Sequence, residues 1–393
     1  MSNHLTPAIT GLAITGRAIT GVVNVGTVST GTNHINHSQL DFFSGAGSAS
    51  VNLYTGRLLF TRPDISVGAN TFTFGVSHTY DTHSSAVMPQ NSVMGNQWNI
   101  SIQQHLAPNS NNPQQYFYYD GRGFTHVFEE FDRNASRVRY HDTTGLGLVL
   151  IDDRQNSWPQ IFIEDTQGEQ LVFDNQALTL RRIVSSQDGR VAKVIEYDAQ
   201  GRPLSIFDSR KQSRSITFAY ENNLLARMEC HDGAQLRHRV SYQYSSGNLT
   251  RITDEGFSSA EPSAPARILH YRYNAQNRLR FAFDAQNGSA LRVDYHADGR
   301  VMAVETGVTT HAEESGFVSN AHTAFAYDST ASALNGRING TTVTNEKNIA
   351  LDYFFNAQGF TTGVLERRNP ANPTDLMTVT KDSGADSCAR TFR

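Results

Sequence analysis

Val191-Ala192-Lys193-Val194-Ile195-Glu196-Tyr197-Asp198-Ala199-Gln200-Gly201-Arg202-Pro203-Leu204 is the stretch whose reading decides the fold. Val191, Lys193, Ile195 and Tyr197 alternate with their neighbours, which places them on one face of a strand. Asp198 to Gly201 supply residues that tolerate a left-handed backbone, and an apolar segment restarts after them, as a β-hairpin requires. The same order recurs. Ile216-Thr217-Phe218-Ala219-Tyr220 precedes Glu221-Asn222-Asn223-Leu224, and Val240-Ser241-Tyr242-Gln243-Tyr244 precedes Ser245-Ser246-Gly247-Asn248-Leu249. Leu269, Tyr271 and Tyr273 precede Asn274 to Leu279; Leu291, Val293 and Tyr295 precede His296-Ala297-Asp298-Gly299-Arg300-Val301. A weaker copy runs from Leu351 to Gly359. Self-similarity at roughly 20–30 residues marks a repeat architecture in which each copy is one supersecondary unit.

One hairpin cannot bury its apolar face alone. The copies are therefore expected to stack edge to edge into an all-β, open, curved antiparallel sheet or partial shell, with the tyrosines forming a ladder on one side. The arginine that follows each turn, at Arg202, Arg278 and Arg300, is expected over an aromatic ring or on a carboxylate of the neighbouring copy, with a solvated turn residue as the alternative.

Tyr197-Asp198-Ala199-Gln200-Gly201-Arg202-Pro203-Leu204 resembles the YD-repeat consensus of the Rhs (rearrangement hotspot) proteins, and the resemblance covers roughly residues 180 to 365. Tyr119 to Gly123 and Ser186 to Arg190 resemble degenerate copies. Val51 to Leu58, Phe72 to Val76 and Gly95 to Trp98 resemble the segment that opens many such proteins. The resemblance implies a β-rich shell that encloses or presents another polypeptide in a secreted or surface toxin-type assembly; some members are described as sugar-binding. The family's Asp-Pro-containing core motif is missing, because the chain has no Asp-Pro dipeptide. Self-cleavage and a resident C-terminal effector are accordingly not expected, and an open section of shell is, able to assemble with another Rhs-type chain through its exposed edges.

Composition narrows the function further. The 393 residues carry 33 Lys and Arg against 37 Asp and Glu, a net charge of −4, which leaves no basic excess for nucleic acid. Only 2 cysteines occur, too few for a disulfide framework. The apolar run Leu148 to Ile151 falls far short of the ~20 residues that span a bilayer as a helix, and no signal-peptide pattern opens the chain.

From Ala8 the chain counts in fives, with glycine at positions 11, 16, 21, 26 and 31. Such a period fits neither strand nor helix, so 1–36 reads as a flexible arm. After it come an N-terminal β-domain (37–175), the repeat sheet (176–365) and a polar tail (366–393). Within the repeat sheet, 256–267 and 305–323 read as long surface loops.

No constellation for catalysis stands out. His34 and His37 lack a third ligand, and neither metal nor other cofactor is expected. Glu129-Glu130 and Asp152-Asp153 are neighbours on strands and point to opposite faces. Cys230-His231-Asp232 is a tripeptide at a turn, whereas triads assemble in space. His78, His105, His126 and His141 share no spacing. Aromatic residues offer a second function, stacking on sugars, for which Tyr116, Tyr118, Trp98 and Trp158 are the candidates. The leading expectation is a non-enzymatic scaffold with a protein partner. A carbohydrate-binding module for cell-surface glycans is the alternative, and a β-rich glycosidase the third reading.

Overall fold

The computed structural model describes residues 38–67, 74–82, 92–143, 146–186, 192–256, 265–311, 314–328, 339–356, 359, 361–367 and 376–379. The expected arm, with His34 and His37, lies outside them. Every regular element among the described residues is a strand. None is a helix long and apolar enough to cross a membrane.

Two antiparallel sheets form. The first holds β1 (Gln39–Ser44), β2 (Gly47–Asn52), β3 (Leu58–Val67), β4 (Phe74–Asp81) and β5 (Trp98–Ile100), in that order. The second is a ladder in which each strand pairs with the next in sequence. It starts with β6 (His105–Pro108), β7 (Gln115–Tyr119), β8 (Thr125–Arg133), β9 (Val138–Asp142), β10 (Val149–Asp152), β11 (Ile161–Glu164), β12 (Gln170–Phe173) and β13 (Leu180–Val184). Ten strands of the repeat follow: β14 (Ala192–Tyr197), β15 (Pro203–Asp208), β16 (Lys211–Glu221), β17 (Leu224–Asp232), β18 (Gln235–Ser245), β19 (Asn248–Gly256), β20 (Arg267–Tyr273), β21 (Leu279–Asp284), β22 (Ser289–Tyr295) and β23 (Val301–Val308). The last are β24 (Val318–Asp328), β25 (Asn339–Asn345), β26 (Ala350–Phe355), β27 (Thr361–Arg367) and β28 (Leu376–Val379).

No described pairing joins β28 to β6, so the ladder as a whole is open. Its first strand is nevertheless held. An isolated bridge pairs His105 with Thr179, Leu106 N–H donates to Leu178 (2.8 Å) and Leu180 N–H to Gln104 (2.9 Å). The first eight ladder strands thus curl into a ring closed by one bridge, and the sheet continues beyond it.

Alternation sets the faces as the sequence predicts. In β7, Tyr116 and Tyr118 are buried while Gln115, Phe117 and Tyr119 are half-buried. Ile216 and Phe218 of β16 join the core with Tyr220 packed against it. The hairpin turns use the left-handed backbone: Asn222 and Asn223 have φ of 50° and 66°, Ser246 and Gly247 of 51° and 77°. These successive positive angles suit the two-residue turn whose twist matches the strands.

Three boundaries differ from expectation. The change of sheet falls between Ile100 and His105, and the ladder crosses residue 175 unbroken. Residues 305–323 are not one loop: the ends of β23 and β24 pair there, from Glu305 with His322 to Val308 with Val318, and Phe317 packs on Phe281 (ring centroids 5.9 Å apart). The hairpin of β27 and β28 extends the sheet into the presumed polar tail.

Candidate functional site

The repeat tyrosines do more than pack. Each sits at a bulge, opposite the first residues of the strand after its turn: Tyr197 faces Pro203, Tyr220 Leu225, Tyr244 Leu249, Tyr273 Leu279 and Tyr295 Val301. Its hydroxyl then reaches back one unit, to the carbonyl that faces the preceding aromatic. Tyr220 donates to Pro203 (2.5 Å), Tyr244 to Leu225 (2.9 Å), Tyr273 to Leu249 (2.6 Å) and Tyr295 to Leu279 (2.6 Å). Tyr197 donates to Leu180 (2.6 Å), which faces Phe173 in the same place. The signature therefore records a nearest-neighbour tie, the energetic unit of a repeat protein. Tyr327, at the next position, has a buried hydroxyl without a hydrogen-bond partner among the described residues. The chain of ties stops there.

The turn arginines follow the expectation. Arg202 lies 4.4 Å from the centroid of Tyr220, Arg278 5.8 Å from Tyr295 and Arg300 4.5 Å from Tyr327. Arg202 and Arg300 also hold Asp198 and Asp298. Gly201 and Gly299 supply the positive φ of these turns, 76° and 94°.

The first sheet lies against the ladder across an apolar seam through which a buried polar network runs. Asp64 of β3 takes Arg62 Nη1 (2.6 Å) on one oxygen; on the other it meets His78 Nδ1 and accepts the Tyr242 hydroxyl, both at 2.7 Å. Arg62 Nη2 reaches Asp254 of β19, whose other oxygen meets His238 Nε2. Burial alone would raise the Asp64 carboxyl. His78 and Arg62 outweigh it and hold the group below the ordinary carboxylate range. Asp254 is likewise lowered against its burial, by His238 and Arg62. Nearby, Trp98 Nε1 donates to the Tyr273 hydroxyl (2.7 Å), and Leu279 N–H donates to that of Tyr80 (3.0 Å). Backbone joins backbone as well: Leu225 to Val93 (2.6 Å), Asn96 to Gly247 (2.8 Å) and Val301 to Gly56 (2.9 Å). The approach is close enough that a Cβ on Gly95 would lie 2.3 Å from the Gly247 oxygen.

A second buried set lies where the first sheet meets β8. Arg57 bonds Asp81 and stacks 4.5 Å from the Phe124 centroid. Burial brings Arg57 down to about 9, opposed by Asp120. Asp120 in turn holds Arg122 (3.1 Å) and meets His126 (3.4 Å).

Of the sugar-stacking candidates, Trp98, Tyr116 and Tyr118 are 0%, 7% and 5% exposed, with their rings in the core. They have no free face for a pyranose, and that expectation is corrected. Trp158 is 86% exposed. Cys230 is buried on β17, and burial raises its thiol; neighbouring His231 meets Glu229 instead. Glu130, Asp152 and Asp153 each bond an arginine, and Glu129 accepts from Gln115. His105 stacks on Tyr119 (4.3 Å), and burial lowers it to about 4. Among the described residues no group of three or more His, Cys, Asp or Glu is placed to hold a metal. The sequence reading gave His78 no role and passed over Asp64, because their ladder partners, Tyr271 on β20 for His78 and Tyr242 on β18 for Asp64, are more than 150 residues away in the chain and no local pattern links them.

A family model described as a domain of unknown function (DUF6531) matches residues 48–128, from β2 into β8. No curated protein matches the chain. Among solved structures, the TcdB2-TccC3-Cdc42 structure is similar at 10% identity and a TM-score of 0.30, over 82% of this chain and 22% of that one. The N-terminal domain of effector protein SpvB from Salmonella typhimurium strain LT2 is similar at 10% identity and TM-score 0.26, over 63% and 98%. A porin-like protein from Bacteroides uniformis ATCC 8492 gives 10% and 0.22, over 64% and 93%. The chain thus spans about a fifth of the length of the first of these.

Proposed function

We propose that this chain is a non-enzymatic scaffold, a section of repeat-built wall that joins a toxin-type assembly through a protein partner. The observation that supports it is the asymmetry of the ladder's two ends. At the first, β6 is tied to residues 178–180 by the His105–Thr179 bridge. At the other, β28 pairs only with β27 among the described residues. An unpaired strand edge presents N–H and C=O groups that recruit another strand, and main-chain pairing of this kind is a common mode of protein recognition.

The side of the ladder facing the first sheet is already occupied. Gly45 reaches Ser289 of β22, Leu53 accepts from Thr341 of β25, and Tyr54 packs on Phe355 of β26. A passenger polypeptide has no room along this stretch, so the reading favours presentation over enclosure. Sedimentation velocity over a wide concentration range, combined with hydrogen exchange, tests it. Association that slows exchange at 376–379 is the expected result. A chain that stays monomeric with those amides freely exchanging, or that turns over a panel of glycosides, overturns it.

A further inference from the structure

We propose that the cleft at one end of the first ring of strands binds a small carboxylate-bearing ligand. Pairing of Val138 with Asp152 sets the β8–β9 turn beside the segment that follows β10, and a cleft of about 470 Å3 opens between them. That volume suits a small-molecule site. Arg133, Arg137 and Arg154 line it, with Val138 and Tyr140 as its less polar wall.

What sets these arginines apart is how they are anchored. Arg133 gives Nε and Nη2 to the two oxygens of Glu130, both at 2.7 Å. Arg137 gives the same pair to Asp153 at 2.6 and 2.7 Å. Each fork is fixed in orientation, and Nη1 of each has no partner among the described residues. Arg154 spends Nε, Nη2 and one hydrogen of Nη1 on Asp152, the Tyr116 hydroxyl and the Asn175 carbonyl. Two pre-oriented guanidinium edges on one cleft match an acceptor with two oxygens in a plane.

Charge narrows the choice. The three arginines are balanced by Glu130, Asp152 and Asp153, so a monoanion fits better than a dianion such as phosphate. Burial, with Tyr116 beside it, pushes the Tyr140 hydroxyl up to about 12, and it stays a neutral donor at physiological pH. The carboxylate belongs to a peptide terminus or to a sugar acid, which share this chemistry.

Titration calorimetry of the full chain with N-acetylglycine, its amide, glucuronate and glucose tests the proposal. Binding of N-acetylglycine or glucuronate, with its uncharged counterpart at least tenfold weaker, is the expected result, and the acid that binds identifies the source. Arg133→Gln, at a half-exposed position, is expected to weaken the acid about tenfold or more by the loss of a charge-assisted bond. Ala135→Trp fills the cleft without touching an ion pair and should abolish binding, with an unchanged melting temperature showing that the fold is kept. No binding by either acid, equal binding of acid and amide, or unaltered binding by both folded variants overturns it.

Discussion

Tyr273 and Tyr327 occupy equivalent positions in the repeat and differ in two hydrogen bonds. Tyr273 accepts from Trp98 and donates to Leu249, whereas the Tyr327 hydroxyl is buried without a partner among the described residues. Tyr273→Phe should cost about 1–3 kcal/mol, since it strands a buried N–H and a carbonyl. Tyr327→Phe should be neutral or slightly stabilising, and urea melts of the two variants check the contrast. Glu169 makes a second case. It is 2% exposed, with one oxygen unpaired among the described residues, and burial, with Asp165 adding to it, raises its carboxyl to about 7. Since the folded value lies above the unfolded one, this residue favours the fold at acid pH and that contribution is lost as pH rises through about 7. Glu169→Gln should therefore raise stability at pH 8 relative to pH 5, measured as the difference between the two melting curves.

The first sheet, as an element, is fastened by charge as well as by apolar area. Asp64 takes three buried partners from three strands, so Asp64→Ala leaves Arg62 and His78 without their shared anion. Breaking a buried pair in this way costs about 3–5 kcal/mol. The loss should be local. Hydrogen exchange should speed up in β3, β4 and the facing β18, while the ring from β6 to β13 keeps its protection. Uniform acceleration across the ladder would show that the two sheets open as one unit.

At the scale of the whole molecule, acid stability follows from the carboxylates of the seams. Asp64, Asp120 and Asp254 are all held below their ordinary range by neighbouring cations despite burial. A depressed folded value means that the stabilisation is present above the unfolded value, and is lost as pH falls below it. The melting temperature should hold from neutral pH down to about 4, then fall steeply. Simultaneous Asp64→Asn and Asp254→Asn should flatten that fall, at the cost of lower stability at pH 7.

Local pattern determined the strands, the turns and their hand, because alternation and the Asp/Asn/Gly turn residues act within a few positions of one another. Tyr197, Tyr220, Tyr244, Tyr273 and Tyr295 announced a stacked ladder, and Arg202, Arg278 and Arg300 announced the stacking on it. The tertiary structure alone decided what the ladder faces. Which rings are sealed, as Trp98 is and Trp158 is not, depends on the first sheet folding back against strands far along the chain. The same long reach brings Asp64 to Tyr242 and Gly56 to Val301, and draws His105 back to Thr179. Such contacts join residues with no common period, so their burial and charge pairing exist only once the chain has closed on itself.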